Sequence, residues 1–129
     1  MREPELTTLC YIEDGDKYLM INRNTGGEDP NAGKWLGIGG HFAFGECPEE
    51  CVRREVMEET GLTVSSLAFR GLITFVSDDG LWEYIHLFTA VAKEGQLPLC
   101  DEGSLEWVEM SRIPSLPLWE GDHIFLKLL

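Results

Sequence analysis

Apolar side chains recur at two spacings along this chain, and the changes of spacing divide it into elements. Leu6 to Ile12 is apolar with two threonines and predicts a strand. Lys17 to Asn22 predicts a second, and the turn Glu13 to Asp16, built around Gly15, makes the pair a hairpin. Asn24 to Gly33 holds three glycines, a proline and no large apolar residue. It reads as a loop, and loops of this length more often serve function than connection. Lys34 to Phe44 sets Trp35, Leu36, Ile38 and Phe42 around Gly37, Gly39 and Gly40, which predicts short strand pieces joined by glycine. Pro48 suits the first turn of a helix, Glu49 and Glu50 favour its positive end, and Gly61 suits its stop, so a helix is placed at Pro48 to Thr60. Val64 to Val76, Trp82 to Ala92 and Leu105 to Glu109 predict strands. Pro114 and Pro117 interrupt the stretch after the last strand, and Asp122 is placed as the cap of a last helix with Ile124, Phe125, Leu128 and Leu129 on one face. Strands and helices mix without strict alternation, which predicts an α+β fold and not a Rossmann sheet.

Composition narrows the function. The 129 residues are expected to form a single domain, 1–129. Ten Lys and Arg against 23 Asp and Glu give a net charge of −13. Such a balance disfavours a nucleic acid polymer as partner, because backbone binding needs a basic face. It permits a small phosphorylated molecule if a divalent cation stands between the two negative partners. No apolar run is long enough to span a bilayer, and Met-Arg-Glu-Pro-Glu-Leu is not a secretion signal, so no membrane partner and a cytoplasmic location are expected. Cys10, Cys47, Cys51 and Cys100 include no Cys-x-x-Cys pair. Cys47 and Cys51, four apart, would stack on one side of a helix. All four are expected to be free thiols, buried or half-buried, in a reducing compartment.

The most informative segment is Gly40 to Leu62, GHFAFGECPEECVRREVMEETGL. At 3.6 residues per turn, Glu55, Glu58 and Glu59 project within an arc of about 100°, beside the core-facing arc of Val52 and Val56. Three like charges so close repel one another, and a helix gains nothing from them. A hard divalent cation explains the cluster, since Mg²⁺ takes oxygen ligands and bridges carboxylates to phosphates. Arg54 and Glu46 can orient one of the carboxylates. The competing reading, a solvated acidic face, suits Glu49 and Glu50.

This segment resembles the signature of the Nudix hydrolases, G-x5-E-x7-R-E-U-x-E-E-x-G-U with U aliphatic. Gly40, Glu46, Arg54, Glu55, Val56, Glu58, Glu59, Gly61 and Leu62 fill every defined position. The resemblance implies the Nudix fold, a mixed β-sheet sandwiched between α-helices. It also implies hydrolysis of a phosphoanhydride in a nucleoside diphosphate derivative, dependent on Mg²⁺ or Mn²⁺. The metal ligands would be Glu55, Glu58, Glu59 and the backbone carbonyl of Gly39 or Gly40, with Arg54 orienting a glutamate. Glu102, before the strand Leu105 to Val108, is the best match for a further ligand or base; its competing reading is a plain turn residue.

Three other stretches resemble the MutT-like branch, which splits oxidised-purine nucleoside triphosphates into monophosphate and pyrophosphate. They are Leu6-Thr-Thr-Leu9, Lys34-Trp-Leu-Gly-Ile-Gly-Gly40 and Leu118-Trp-Glu-Gly-Asp122. The resemblance assigns Thr8 to the base pocket, Trp119 to stacking on the purine and Asp122 to its hydrogen-bonding edge. Phe75 would be a further wall, Arg23 a phosphate or sugar contact and His41 a phosphate contact. Each has a plainer alternative: core plugs for Trp119 and Phe75, a helix cap for Asp122, and solvated or loop roles for Arg23 and His41. Leu36 stands where purine-reading relatives often carry Asn, Gly121 where they carry a second acid, and His41 where they carry Lys. The expected substrate is therefore a nucleoside triphosphate, with 8-oxo-dGTP among the candidates. The alternatives are another nucleoside diphosphate derivative, such as a nucleotide sugar or dinucleotide, or a non-catalytic nucleotide sensor.

Overall fold

The structure, a computed structural model, describes residues 3–22, 33–92, 104–118 and 120–129. Strand β1 (Glu5–Asp14) turns through Gly15 and Asp16 into β2 (Lys17–Asn22), with Asp14 paired to Lys17. Gly15 takes φ +62°, which a β-carbon would oppose, so the tight hairpin depends on glycine there. After β3 (Trp35–Leu36) come helix α1 (Pro48–Thr60), β4 (Val64–Val76), β5 (Trp82–Ala92) and β6 (Ser104–Glu109). A 3₁₀ turn, Ile113–Ser115, leads to α2 (Glu120–Leu126).

The strands form one mixed sheet in the order β3-β2-β1-β5-β4, with β6 on β2. Among the described residues only the central β1–β5 pair is parallel. β6 pairs with β2 along its whole length, so β1 and β3 share the other edge of β2. Strand β3 and the glycine arm that follows it therefore wedge between β2 and β1. Leu36 pairs with Ile21 of β2, and Ile38 and His41 then bridge to Cys10 and Thr7 of β1.

Each face of the sheet buries a core, as the expected sandwich requires. On one, Val52 and Val56 of α1 pack with Cys10, Ile12, Ile38 and Phe88. Burying each valine contributes about 1.5–3 kcal/mol, enough to seat the helix despite its acidic stripe. On the other, Tyr11, Met20, Leu87 and Val108 pack under Ile113, Leu118, Leu126 and Leu129.

Helix α1 has the predicted limits. Glu50 accepts the Cys47 amide at 3.0 Å at its start, and Gly61, at φ +72°, ends it. Two expectations need correction. Cys47 is exposed in extended backbone before the helix while Cys51 is buried, so the two thiols do not share a side. Asp122 lies inside α2 and does not cap it, because the helix already begins at Glu120.

Candidate active site

The glycine arm is held like a strand against β1. Cys10 and Ile38 exchange backbone hydrogen bonds at 2.6 and 2.9 Å, and the Thr8 amide donates to the Gly40 carbonyl at 2.9 Å. Contact is close enough to demand glycine. A β-carbon at residue 39 would stand 1.9 Å from the Thr8 carbonyl oxygen, and one at residue 40 would stand 2.6 Å from the Glu55 carboxylate. The missing side chains thus bring the backbone directly under the first glutamate of α1.

Arg54 is the hub of the opposite wall. Its guanidinium donates to both oxygens of Glu46, at 2.7 and 3.0 Å, to Glu55 Oε1 at 2.7 Å and to Glu58 Oε2 at 3.1 Å. It also donates to the His41 carbonyl at 3.0 Å, tying helix to arm. Glu59 accepts the Gly39 amide at 3.1 Å. These residues surround one open cleft of about 590 Å³, lined by Gly39 to Ala43, Arg54, Glu55, Glu58 and Glu59. Hydrogen bonds from Arg54 and from the Ala43 amide lower the Glu46 carboxyl from 4.5 to about 2, and those to Glu46 and Glu55 raise the Arg54 guanidinium further. The brace therefore stays charged throughout the neutral range.

That brace yields a pH prediction. A carboxyl whose folded pKa is depressed adds stability above its unfolded pKa and loses it as pH falls. Glu46→Gln is expected to be less stable than the parent at neutral pH. The gap should narrow below pH 4.5 and close near pH 2. Thermal melts of the two proteins across that window check this; a pH-independent gap would assign Glu46 a packing role.

A family model described as the NUDIX domain matches residues 3–129. The chain belongs to the Nudix family. It is 35% identical over 131 residues to the oxidized purine nucleoside triphosphate hydrolase of Mus musculus, covering 100% of this chain and 81% of that protein. Its identity to the protein of that name in Danio rerio is 33% over 126 residues, 96% of this chain and 78% of the other. Among solved structures, the MutT protein of Bacillus halodurans superposes with a TM-score of 0.75 at 31% identity, covering 95% of this chain and 80% of that one.

Apart from Thr8, the residues expected from the Nudix and MutT-like resemblances fall into three groups. Gly40, His41, Arg54, Glu55, Glu58 and Glu59 meet in the cleft. Phe75 and Asp122 belong to the other face of the sheet. Phe75 pairs with Glu83, in alternation with Ile73 and Ile85 on the side of Tyr11, and Asp122 lies near enough to Tyr11 to add to the rise that burial imposes on its phenol. Arg23, Glu102 and Trp119 lie outside the described residues.

Three placements refine the expectation. The carbonyls of Ile38 and Gly40 both point at β1, so alternation turns the Gly39 carbonyl, and not that of Gly40, to the opposite edge. Thr8 is 3% exposed and lies beneath the arm, its hydroxyl 3.5 Å from the Gly40 carbonyl and 3.6 Å from Cys51 Sγ; it props the cleft floor and lines no open wall. His41 Nε2 lies 3.2 Å from Glu5.

Sequence reasoning missed the part Cys51 plays here. Its thiol approaches the His41 carbonyl at 3.6 Å and Arg54 at 3.9 Å, and burial raises its pKa, which keeps it a neutral support. The available signal was its spacing of three residues from Arg54, which puts both on one helix face.

Nudix hydrolases generally use divalent metal ions, and this cleft suits one. Its side-chain donors are carboxylate oxygens, the ligands of a hard cation, and residue 40 leaves room beside Glu55 that a β-carbon would fill. Among the described residues no three His, Cys, Asp or Glu side chains already converge. Glu55 and Glu58 are drawn to Arg54, and Glu59 is drawn to the Gly39 amide.

Proposed function

We propose that this protein hydrolyses purine nucleoside triphosphates, oxidised purines included, to the monophosphate and pyrophosphate with Mg²⁺ or Mn²⁺. The observation carrying this reading is that Glu55, Glu58 and Glu59 line one cleft whose Arg54 is held by Glu46. The names of the mouse and zebrafish relatives support the substrate class.

In this reading Glu55, Glu58, Glu59, Glu102 and the Gly39 carbonyl would hold a divalent cation, which would supply neutralisation of phosphate charge and a more acidic water. The chain's own residues supply the rest. Arg54, fixed by Glu46, sets the rotamers of Glu55 and Glu58. The rigid arm fixes where the phosphates lie, and phosphoryl transfer depends largely on such positioning. The sheet face of Tyr11 carries Phe75 and Asp122, and with Trp119 these form the base site. Leu36 packs with Ile21 on the opposite, α1-side face and has no hydrogen bond to offer a base, so base recognition falls more heavily on Asp122. The substrate is a small nucleotide, not a nucleic acid polymer or membrane. No helix among the described residues is long and apolar enough to cross a membrane, and the free thiols of Cys10, Cys47 and Cys51 support a reducing cytoplasmic setting.

Turnover of a nucleotide panel with Mg²⁺ and product identification tests the proposal. Monophosphate plus pyrophosphate from purine triphosphates is the expected outcome; products from nucleotide sugars or dinucleotides alone would replace it. Trp119→Ala is expected to raise KM for a nucleoside triphosphate by about 5–150-fold, the value of one base-stacking contact, and to spare hydrolysis of inorganic polyphosphate. Equal effects on both substrates would remove the stacking role.

A further inference from the structure

Helix α1 covers only part of its face of the sheet. Phe88 and Ala90 of β5 lie in the core beneath it, but Trp82, Tyr84 and His86, which alternate onto the same face, are only half-buried. Their cross-strand partners extend the uncovered area: Leu72 opposite His86, Val76 opposite Trp82, and Leu6 of β1 opposite Tyr84. Leu72 is 54% exposed, Val76 66% and Phe69, edge-on to Phe88, 57%. A largely apolar patch of this kind, broken only by Thr74 opposite Tyr84, marks a contact surface. Unlike a small-molecule site, it follows the sheet and is not a cleft.

Charge selects the partner. The molecule carries −13, so two copies repel across most approaches. β4 and β5 together carry one acid and one base among Lys, Arg, Asp and Glu, namely Glu83 and Arg70. Both face away from the patch: Glu83 accepts from Thr7, and Arg70 donates to Thr89, on the other side of the sheet. The exposed face of this hairpin is thus free of formal charge on a strongly acidic protein. A basic partner would find nothing here to pair with, whereas an identical copy meets a matching neutral surface. Among the described residues, acids lie only at its margins: Asp78 and Asp79 in the turn at the hairpin tip, and Glu5 and the cleft glutamates on the β1 side. A two-fold axis through the middle of the face sends the two tips in opposite directions.

We propose that this protein forms a symmetric dimer through the α1-side face of the β4–β5 hairpin, with Phe69, Leu72, Val76 and the Trp82–Tyr84–His86 row at its centre. The interface borders the cleft without using it, since Phe42 lines the cleft and packs tilted against His86, ring centroids 5.1 Å apart. Its existence does not depend on the substrate proposed above.

Sedimentation velocity on the full chain tests the proposal. The expected species has twice the 14.6 kDa chain mass at micromolar concentration. Its dissociation constant should fall on going to molar salt, where the screening length is about 3 Å and repulsion between acidic copies is suppressed. Leu72→Lys and Val76→Lys, both highly exposed, should give monomers that melt like the parent and keep its turnover per site. A monomeric parent at high micromolar concentration in molar salt would overturn the proposal. So would a dimer that both substitutions leave intact, or one that loosens with salt.

Discussion

Glu58→Gln is expected to lower kcat by about 10²–10⁴-fold, the range for losing a catalytic carboxylate, and to leave the fold unchanged. The two effects separate because Glu58 stands at the cleft edge with a 59% exposed side chain, paired to Arg54 at 3.1 Å. An exposed ion pair of this kind is worth about 0–1 kcal/mol, whereas a 100-fold loss of rate corresponds to about 2.7 kcal/mol of transition-state stabilisation. Glu55 is a less clean probe. Its side chain is 15% exposed and bonds Arg54 at 2.7 Å, so removing its charge disturbs the brace as well as the chemistry. Steady-state kinetics with Mg²⁺, paired with a thermal melt, check the prediction. Near-parental turnover from a well-folded Glu58→Gln protein would mean that the acidic stripe serves some purpose other than hydrolysis.

Alanine at residue 39 and alanine at residue 40 should fail for different reasons. At residue 39 the new carbon meets backbone, the Thr8 carbonyl at 1.9 Å, and only separation of the arm from β1 relieves the clash. The hydrogen bonds between Thr8 and Gly40 and between Cys10 and Ile38 then suffer, so a stability loss of about 3 kcal/mol or more is expected. At residue 40 the obstacle is the end of the Glu55 side chain, which can swing aside. Gly40→Ala should cost about 1 kcal/mol or less in urea unfolding but lose most activity, because Glu55 is turned from its working position. Equal stability losses in the two variants would show that the arm does not rest on β1 as described.

Much of this organisation was legible in the sequence because local chemistry and tertiary packing agree there. Pro48, Glu50 and Gly61 limit α1 by backbone rules that need no distant partner. The alternating strands beyond it follow from the two-sided burial of a sheet. The grouping of Glu55, Glu58 and Glu59 follows from helical geometry alone. Long-range relations were not legible. Nothing local states that the segment after Trp35 inserts between two strands that are adjacent at their hairpin, and therefore nothing local says which carbonyl faces the cleft. The resemblance of Leu6-Thr-Thr-Leu9 to the MutT-like first strand put Thr8 in a base pocket, but alternation along β1 turns its hydroxyl to the helix side, against Cys51 and the Gly40 carbonyl. Asp122 has the composition of a cap, yet the helix starts two residues earlier.

The pairing of β2 with β3 has a consequence for how this protein can change. Ile21 lies opposite Leu36 and Asn22 opposite Trp35, so the polypeptide leaves and rejoins the sheet at neighbouring positions. Lengthening a segment whose two ends are already fastened together is thermodynamically mild, about 0.6 kcal/mol for each doubling. Insertions between these anchor points can therefore accumulate at little cost, while the cleft residues, fastened to β1 and α1, stay in place.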